Sequence, residues 1–275
     1  MNKKELDMLK QPEIYLTTRT SVDWIQVAEF LADQGVPPIP DSIRAGKDES
    51  AAVVEISARM CYMSYGRGRK DIADFINNLL YRKDGSVLEH VNFGFVITGI
   101  SRSLTHELIR HRAGFAYSQR SQRYVDESGA SFVIPPALVN ETFSNDKVNE
   151  LFNKAMENAA TSYEELVNSL EESLDESLFE KKTDRRKAIR QAARSVLPNA
   201  TETKLFVTAN VRAWRHFIEM RSTPYADWEI RRMAIQILNL LVKEAPLLFG
   251  DFKIEELPDG TSIATPLHSL SLIHI

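Results

Sequence analysis

Between Thr105 and Tyr124 this chain gathers residue types that bind anions. The stretch holds four arginines (Arg110, Arg112, Arg120, Arg123), two of the six histidines, Ser118, Ser121, Gln119 and Gln122. A guanidinium suits phosphate and planar oxygen pairs, because its rigid fork donates two parallel hydrogen bonds. Two later segments repeat the theme: Arg186, Arg190 and Arg194, then Asn210, Arg212, His216 and Arg221. If the three converge, they can hold more than one anionic group. No catalytic triad is visible, and Ser118 and Ser121 do not sit in a nucleophile elbow. No glycine fingerprint for a dinucleotide follows a strand, and the basic turn Tyr65–Lys70 lacks Walker spacing. The residues support an enzyme that binds phosphorylated small molecules and takes its reactivity from a cofactor. An arginine-rich structural surface is the competing reading.

Two other chemistries are weak. His106-Glu107-Leu108-Ile109-Arg110-His111 approaches a zinc-protease helix, but its histidines are five apart, not four. At about 100° per residue they point roughly 140° away from each other, so no metal is expected. Cys61, the single cysteine, excludes a disulfide within the chain. It stands among apolar neighbours and is expected to be a buried thiol without nucleophilic duty.

The bulk composition is that of a globular protein, at 43% hydrophobic and 26% charged residues over 275 positions. A net charge of −4 disfavours a nucleic-acid backbone as partner, so the arginine run is a local concentration on an acidic background. The first residues lack the apolar run of a signal peptide, and no stretch reaches membrane-spanning length. A cytoplasmic protein without a membrane partner is expected.

The elements that must position these residues follow from periodicity. Residues 1–12 read as loose and polar. Ile14–Thr18 has strand composition; Asp23–Gln34 reads as a short helix, ended by a breaker at Gly35–Pro40. Asp48–Met63 and Asp71–Tyr81 are amphipathic helices, and Asn92–Gly99 is the clearest strand. Ser101 or Ser103 can cap the next helix. On that helix Arg102, His106 and Arg110 would form one cationic stripe, with Leu104, Leu108 and Ile109 as anchors. Phe132–Pro136 is a short strand ended by prolines. Asn145 to about Leu174 is a long acidic helix, and Arg185–Leu197 a basic one stopped by Pro198. Thr201–Thr208 is a strand, followed by helices at Asn210–Arg221 and Tyr225–Ala245. The tail from Gly250 reads as irregular, with His268 and His274 lacking a partner. Helices outnumber scattered strands. The pattern predicts one α/β (α+β) domain over residues 1–275, with a small, mostly antiparallel sheet flanked by long helices.

Arg110-His111-Arg112, followed by Tyr117-Ser118-Gln119-Arg120-Ser121-Gln122-Arg123-Tyr124, resembles the signature of flavin-dependent thymidylate synthases. Ser86–His90, Gly99–Ser103, Arg190–Pro198, Thr208–Phe217 and Met220-Arg221 match further family segments in order, so the resemblance spans roughly residues 50–250. It implies reductive methylation of dUMP to dTMP. Methylenetetrahydrofolate would donate the carbon, and FAD, reduced by NADPH, the electrons. It implies a homotetramer with active sites between subunits. Ser86, Glu89, Arg110, His111, Arg112, Asn210, Arg212 and His216 would contact FAD, and Gln119 could touch it as well. Glu107, Arg110, Gln119, Arg120, Ser121, Gln122, Arg123 and Arg194 would surround dUMP, with Ser121 and Arg123 at its phosphate. Arg221 would face the uracil as the catalytic group and favour its ionised form, since an opposite charge stabilises the charged state.

The sequence departs from the family pattern at two places. Eight residues, Ala113 to Arg120, separate the triplet from Ser121 where seven are usual; a bulge near Gly114 would absorb the extra one. Lys83-Asp84-Gly85 stands where many members carry a histidine. Two alternatives remain open at this point: a non-catalytic nucleotide- or RNA-binding relative, and a flavin enzyme acting on another pyrimidine nucleotide.

Overall fold

The computed structural model describes residues 6–36, 48–140 and 144–270. Met1–Glu5, Pro37–Pro40 of the expected breaker, and His274 lie outside the described residues. The chain forms two compact units. The first takes Met1–Glu13, Ile97–Arg110 and Ser118–Phe206; the second takes Ile14–Val96, His111–Tyr117 and Val207–Ile275.

The elements run in order from β1 (Met8–Leu9) and β2 (Glu13–Arg19) through α1 (Trp24–Asp33), α2 (Glu49–Met60) and α3 (Ile72–Tyr81). A 3-10 turn (Gly85–His90) leads into β3 (Asn92–Ser101), α4 (Arg102–Leu108) and β4 (Phe115–Gln119). Then come β5 (Phe132–Val133), the single turn α5 (Pro136–Val139), α6 (Asp146–Ser173) and α7 (Lys182–Ala193). The chain ends with β6 (Glu202–Asn210), α8 (Val211–Arg221), α9 (Trp228–Glu244), α10 (Pro246–Phe249), β7 (Phe252–Glu256) and β8 (Ser262–Pro266). The main sheet is antiparallel, in the order β2-β3-β6-β4. This is the expected α/β class.

Helix starts fall where the capping residues put them. The carboxylates of Asp23, Asp48 and Asp71 accept from backbone N–H groups of the first turns of α1, α2 and α3. Asn145 does the same for α6, Ser101 for α4 and Asn210 for α8. In the first unit, α6 and α7 bury Tyr163, Val167, Ile189 and Ala193 against one another. In the second, Trp214 is fully buried, its ring edge-on to Phe95 and its indole N–H donating to the Phe93 carbonyl at 3.0 Å.

Several expectations are overturned. Residues 1–12 are not loose throughout, because Met8 and Leu9 pair in parallel with Phe132 and Val133. Cys61 is exposed: α2 ends at Met60, and the thiol falls beyond its buried face, with Sγ 3.6 Å from the Ser57 carbonyl. The helix α4 stops at Leu108. Ile109 is 47% exposed rather than a core anchor, and Arg110 lies outside the helix, so no three-residue cationic stripe forms on it. Within the signature, Phe115–Gln119 is a strand that the periodicity does not mark, its side chains alternately half-buried and exposed.

The tail is also ordered, as β7 and β8 pair antiparallel from Phe252↔Pro266 to Glu256↔Ser262. Buried Arg215 holds that hairpin through both carboxylate oxygens of Asp251, at 2.6 and 2.8 Å, and the His268 carbonyl at 2.9 Å. His268 has partners, Asn77 Oδ1 at 3.1 Å and the edge of the Tyr81 ring.

Candidate active site

In the second unit the triplet's last two residues, His111 and Arg112, lead into a turn packed against the start of α8. Gly114 makes the turn with φ +76°; a Cβ there would lie 2.8 Å from Asn210 Nδ2 and 2.9 Å from Ala213 Cβ. Only glycine lets the chain pass this close to the start of α8. Asn210 fixes the other side. Its N–H donates to the Gly114 carbonyl at 3.3 Å, and its Oδ1 accepts from Ala213 N at 2.8 Å.

His111 lies among aromatic rings: Phe217 at 5.1 Å edge-on, with Phe115 and His216 each at 6.1 Å. Its Nε2 accepts a hydrogen bond from Arg221 Nε at 2.8 Å. A guanidinium donates and cannot accept, so this imidazole is neutral, with its proton on Nδ1. Tyr117 donates its hydroxyl to the His111 carbonyl at 2.6 Å, and burial pushes that phenol far up. Arg212 donates to Glu89 at 2.6 Å, and a Cβ on Gly85 would meet its Nε at 3.3 Å. The side chain thus lies along the 3-10 turn that also carries exposed Ser86. Arg112 and His216 are exposed at the surface of the same unit.

In the first unit β4 delivers Gln119, whose Nε2 donates to Thr105 Oγ1 and Thr203 Oγ1, both at 3.3 Å. A turn follows. The Ser121 carbonyl accepts from Tyr124 N and Val125 N, and Ser121 Oγ accepts from Arg123 N at 3.3 Å. Gln122 is buried at 6% exposure, yet its Nε2 has no partner among the described residues. Arg110 and Arg123 are exposed; Glu107 and Arg194 are half-buried, on the last turn of α4 and just after α7.

Arg120 donates to Glu127 Oε2 at 3.1 Å and to Glu202 through its carbonyl at 3.0 Å and its Oε2 at 3.1 Å. Burial pushes the Glu127 carboxyl up despite Arg120 and Arg102 nearby. Sequence reading missed Glu127 and Glu202, since an isolated acidic residue carries no spacing signal. It placed Arg102 in a cationic stripe and Arg190 in an anion-binding segment, whereas both hold backbone carbonyls of this turn. Arg190 holds this turn through the Tyr124 carbonyl at 2.6 Å, and Arg102 holds the Arg120 carbonyl at 2.9 Å.

Each unit thus holds its own set of the expected residues. Direct contacts join Arg221 to His111 and Arg212 to Glu89 in one, and the Gln119–Arg123 turn gathers the other. The family described as thymidylate synthase complementing protein matches residues 45–247. This chain belongs to that family. A flavin-dependent thymidylate synthase from Mycolicibacterium gilvum is 48% identical over 247 residues, covering 89% of this chain and 94% of that protein. One from Mycobacterium tuberculosis is 43% identical over 252 residues, covering 90% and 96%. Among solved structures, a UMP/dUMP methylase from Streptomyces cacaoi bound with 5-Br UMP superposes with a TM-score of 0.63. It does so at 20% identity, covering 89% of this chain and 95% of that one, a likeness of fold.

The family's flavin fits the second unit's donor set. Arg112, Arg212 and His216 supply cations or N–H donors, Ser86 a hydroxyl, and the Gly85 backbone lets Arg212 lie flush beside it. No group of three or more His, Cys, Asp or Glu placed to hold a metal occurs among the described residues. No described helix is long and apolar enough to cross a membrane.

Proposed function

We infer that this protein is a flavin-dependent thymidylate synthase. It methylates dUMP to dTMP, with FAD as redox cofactor, methylenetetrahydrofolate as carbon donor and NADPH as the source of electrons. The observation that carries the reading is the identity of 43–48% to such enzymes along about nine-tenths of the chain. When bound, reduced FAD supplies the hydride equivalent of the reductive methylation.

The chain's own residues bind and orient. Ser86, Glu89, Arg110, His111, Arg112, Asn210, Arg212 and His216 are proposed to contact FAD, together with Gln119. Glu107, Arg110, Gln119, Ser121, Gln122, Arg123 and Arg194 are proposed to enclose dUMP, and Arg120 belongs to the same run. Two observations support this grouping. Exposed Arg123 lies two residues past Ser121 and donates its backbone N–H to Ser121 Oγ, a pairing suited to a phosphate, and the orphaned Gln122 Nε2 is a buried donor awaiting an acceptor. Arg221 is proposed as the catalytic residue, its positive charge stabilising the uracil anion. His111 holds it by the 2.8 Å bond. The residues 1–275 are proposed to act as one catalytic domain, assembled as a homotetramer with active sites between subunits.

The purified protein is expected to be yellow, to retain FAD, and to bleach with NADPH. A colourless protein that binds neither FAD nor dUMP contradicts the reading. Competition among dUMP, UMP and dCMP separates it from a flavin enzyme of another pyrimidine nucleotide.

A further inference from the structure

Arg120 sits in the middle of the run proposed to enclose dUMP, but its Nη2 is committed elsewhere, to Glu127 and Glu202, while its buried Nε has no partner among the described residues. Successive residues of extended backbone face opposite sides. Gln119 reaches Thr203 on β6, and Arg120 reaches the next residue back, Glu202. The two carboxylates that receive Arg120 are almost sealed: the Glu127 and Glu202 side chains are 1% and 4% exposed. Glu202 is itself fixed, because its Oε1 accepts from Gly99 N at 3.1 Å. Glu127 is fixed as well, its backbone N–H donating to the Tyr163 hydroxyl oxygen at 3.2 Å. The backbone of Arg120 is pinned twice more, its N–H to the Lys204 carbonyl at 2.9 Å and its carbonyl to Arg102.

The space on this side also has the wrong sign for a phosphate. A cavity of about 410 Å³ adjoins Arg120, and five carboxylates, among them Asp7, Glu13 and Asp126, line it against two cations. An anionic ligand is repelled there.

We propose that Arg120 is a positioning residue. Clasped by Glu127 and Glu202 behind the strand end, it fixes the turn that presents Gln119, Ser121 and Arg123 to the nucleotide, and it does not touch the nucleotide itself. The inference rests on the thymidylate synthase reading.

The sign of one substitution decides it. If Arg120 bound the phosphate directly, Glu202→Gln would free the guanidinium and remove a repelling charge, so dUMP would bind as well or better. If Arg120 positions the turn, Glu202→Gln loosens the clasp and dUMP binds less tightly. The test is the dissociation constant of dUMP on the FAD-loaded full chain, read from the perturbation of flavin absorbance. Arg120→Met and Glu202→Gln are each expected to raise it about tenfold, with the double variant no worse than the weaker single. Arg120→Lys, which keeps one bond to the carboxylates, is expected to recover part of the loss.

A second readout separates positioning from charge contact. Arg120→Met keeps the wild-type salt dependence of dUMP binding, whereas Arg123→Met flattens it. Tighter or unchanged binding in Glu202→Gln overturns the proposal, as does a flattened salt dependence in Arg120→Met. Should Glu202→Gln fail to fold, Glu127→Gln carries the same test of sign. A wild-type protein that binds neither FAD nor dUMP overturns the parent reading instead, and this inference with it.

Discussion

The guanidinium of Arg221 donates from Nε to Nε2 of His111 at 2.8 Å, joining the last residue of α8 to the middle residue of the Arg-His-Arg triplet. The bond exists only while that imidazole is neutral, because a doubly protonated ring has no acceptor. Turnover is therefore expected to fall as acidification protonates His111. His111→Gln offers an acceptor that does not titrate, and is expected to flatten the acid limb of the pH profile. An unchanged acid limb in that variant removes His111 from the account. His216, whose ring lies 6.1 Å from His111, is the nearby control.

Arg221→Ala is expected to lower kcat by about 10²–10³, the usual loss when a donor to developing charge is removed. FAD content should largely survive, since Arg221 is not itself a proposed flavin contact, although it is bonded to one of them, His111. The measurement pairs steady-state rates with flavin absorbance of the same preparation. Equal loss of flavin and rate would show that Arg221 serves the cofactor rather than the uracil.

Gly114→Ala places a Cβ within 3 Å of Asn210 and Ala213 at a left-handed backbone position. The strain is expected to cost about 1–3 kcal/mol. Thermal unfolding should fall by several degrees and FAD retention should weaken with it, because Asn210 both contacts this turn and caps α8. Unaltered Tm and flavin content would mean that the turn relaxes freely.

How much was legible beforehand follows from the same residues. Asp23, Asp71, Asn145 and Asn210 marked helix starts by local chemistry, so those helices came out within a few residues. The small sheet and the family motifs were legible too. What failed was tertiary. Cys61 is exposed and lies just past the end of α2, which stops at Met60, three residues short of the expected Met63, an error at a helix end that periodicity does not resolve. Phe115–Gln119 is too short, and too polar at Ser118 and Gln119, to announce itself as a strand beside an arginine run. The C-terminal hairpin depends on Asp251 meeting Arg215, separated by 36 residues, which no local signal encodes. Glu127 and Glu202 became legible only once Arg120 was seen between them.

The hairpin gives a stability prediction. Arg215 is 2% exposed and paired bidentately with Asp251. Removing one partner strands a buried charge, so Asp251→Met is expected to cost about 3–5 kcal/mol. The double variant Arg215→Met/Asp251→Met should recover part of that loss. Denaturant midpoints of the four proteins complete the cycle, and strict additivity would show that the two residues do not act as a pair.

A buried carboxyl sets a pH trend. Burial pushes Glu55 up, outweighing its partner Arg59 at 2.6 Å. As pH falls, the folded protein takes up a proton at Glu55 before the unfolded chain does. Its contribution to stability therefore grows as pH drops from its raised value toward the ordinary carboxylate range, and is lost as pH rises. Glu55→Gln should flatten the dependence of Tm on pH in that window. A steeper slope in the variant contradicts the sign.

The most direct test of the whole account is tritium release from dUMP labelled at C5, assayed with FAD, methylenetetrahydrofolate and NADPH and with each omitted in turn. The account predicts release with formation of dTMP in the complete mixture, and loss of dTMP formation when methylenetetrahydrofolate or NADPH is withheld or when the protein has first been stripped of its FAD. A yellow, folded protein that binds dUMP but forms no dTMP in the complete mixture contradicts it.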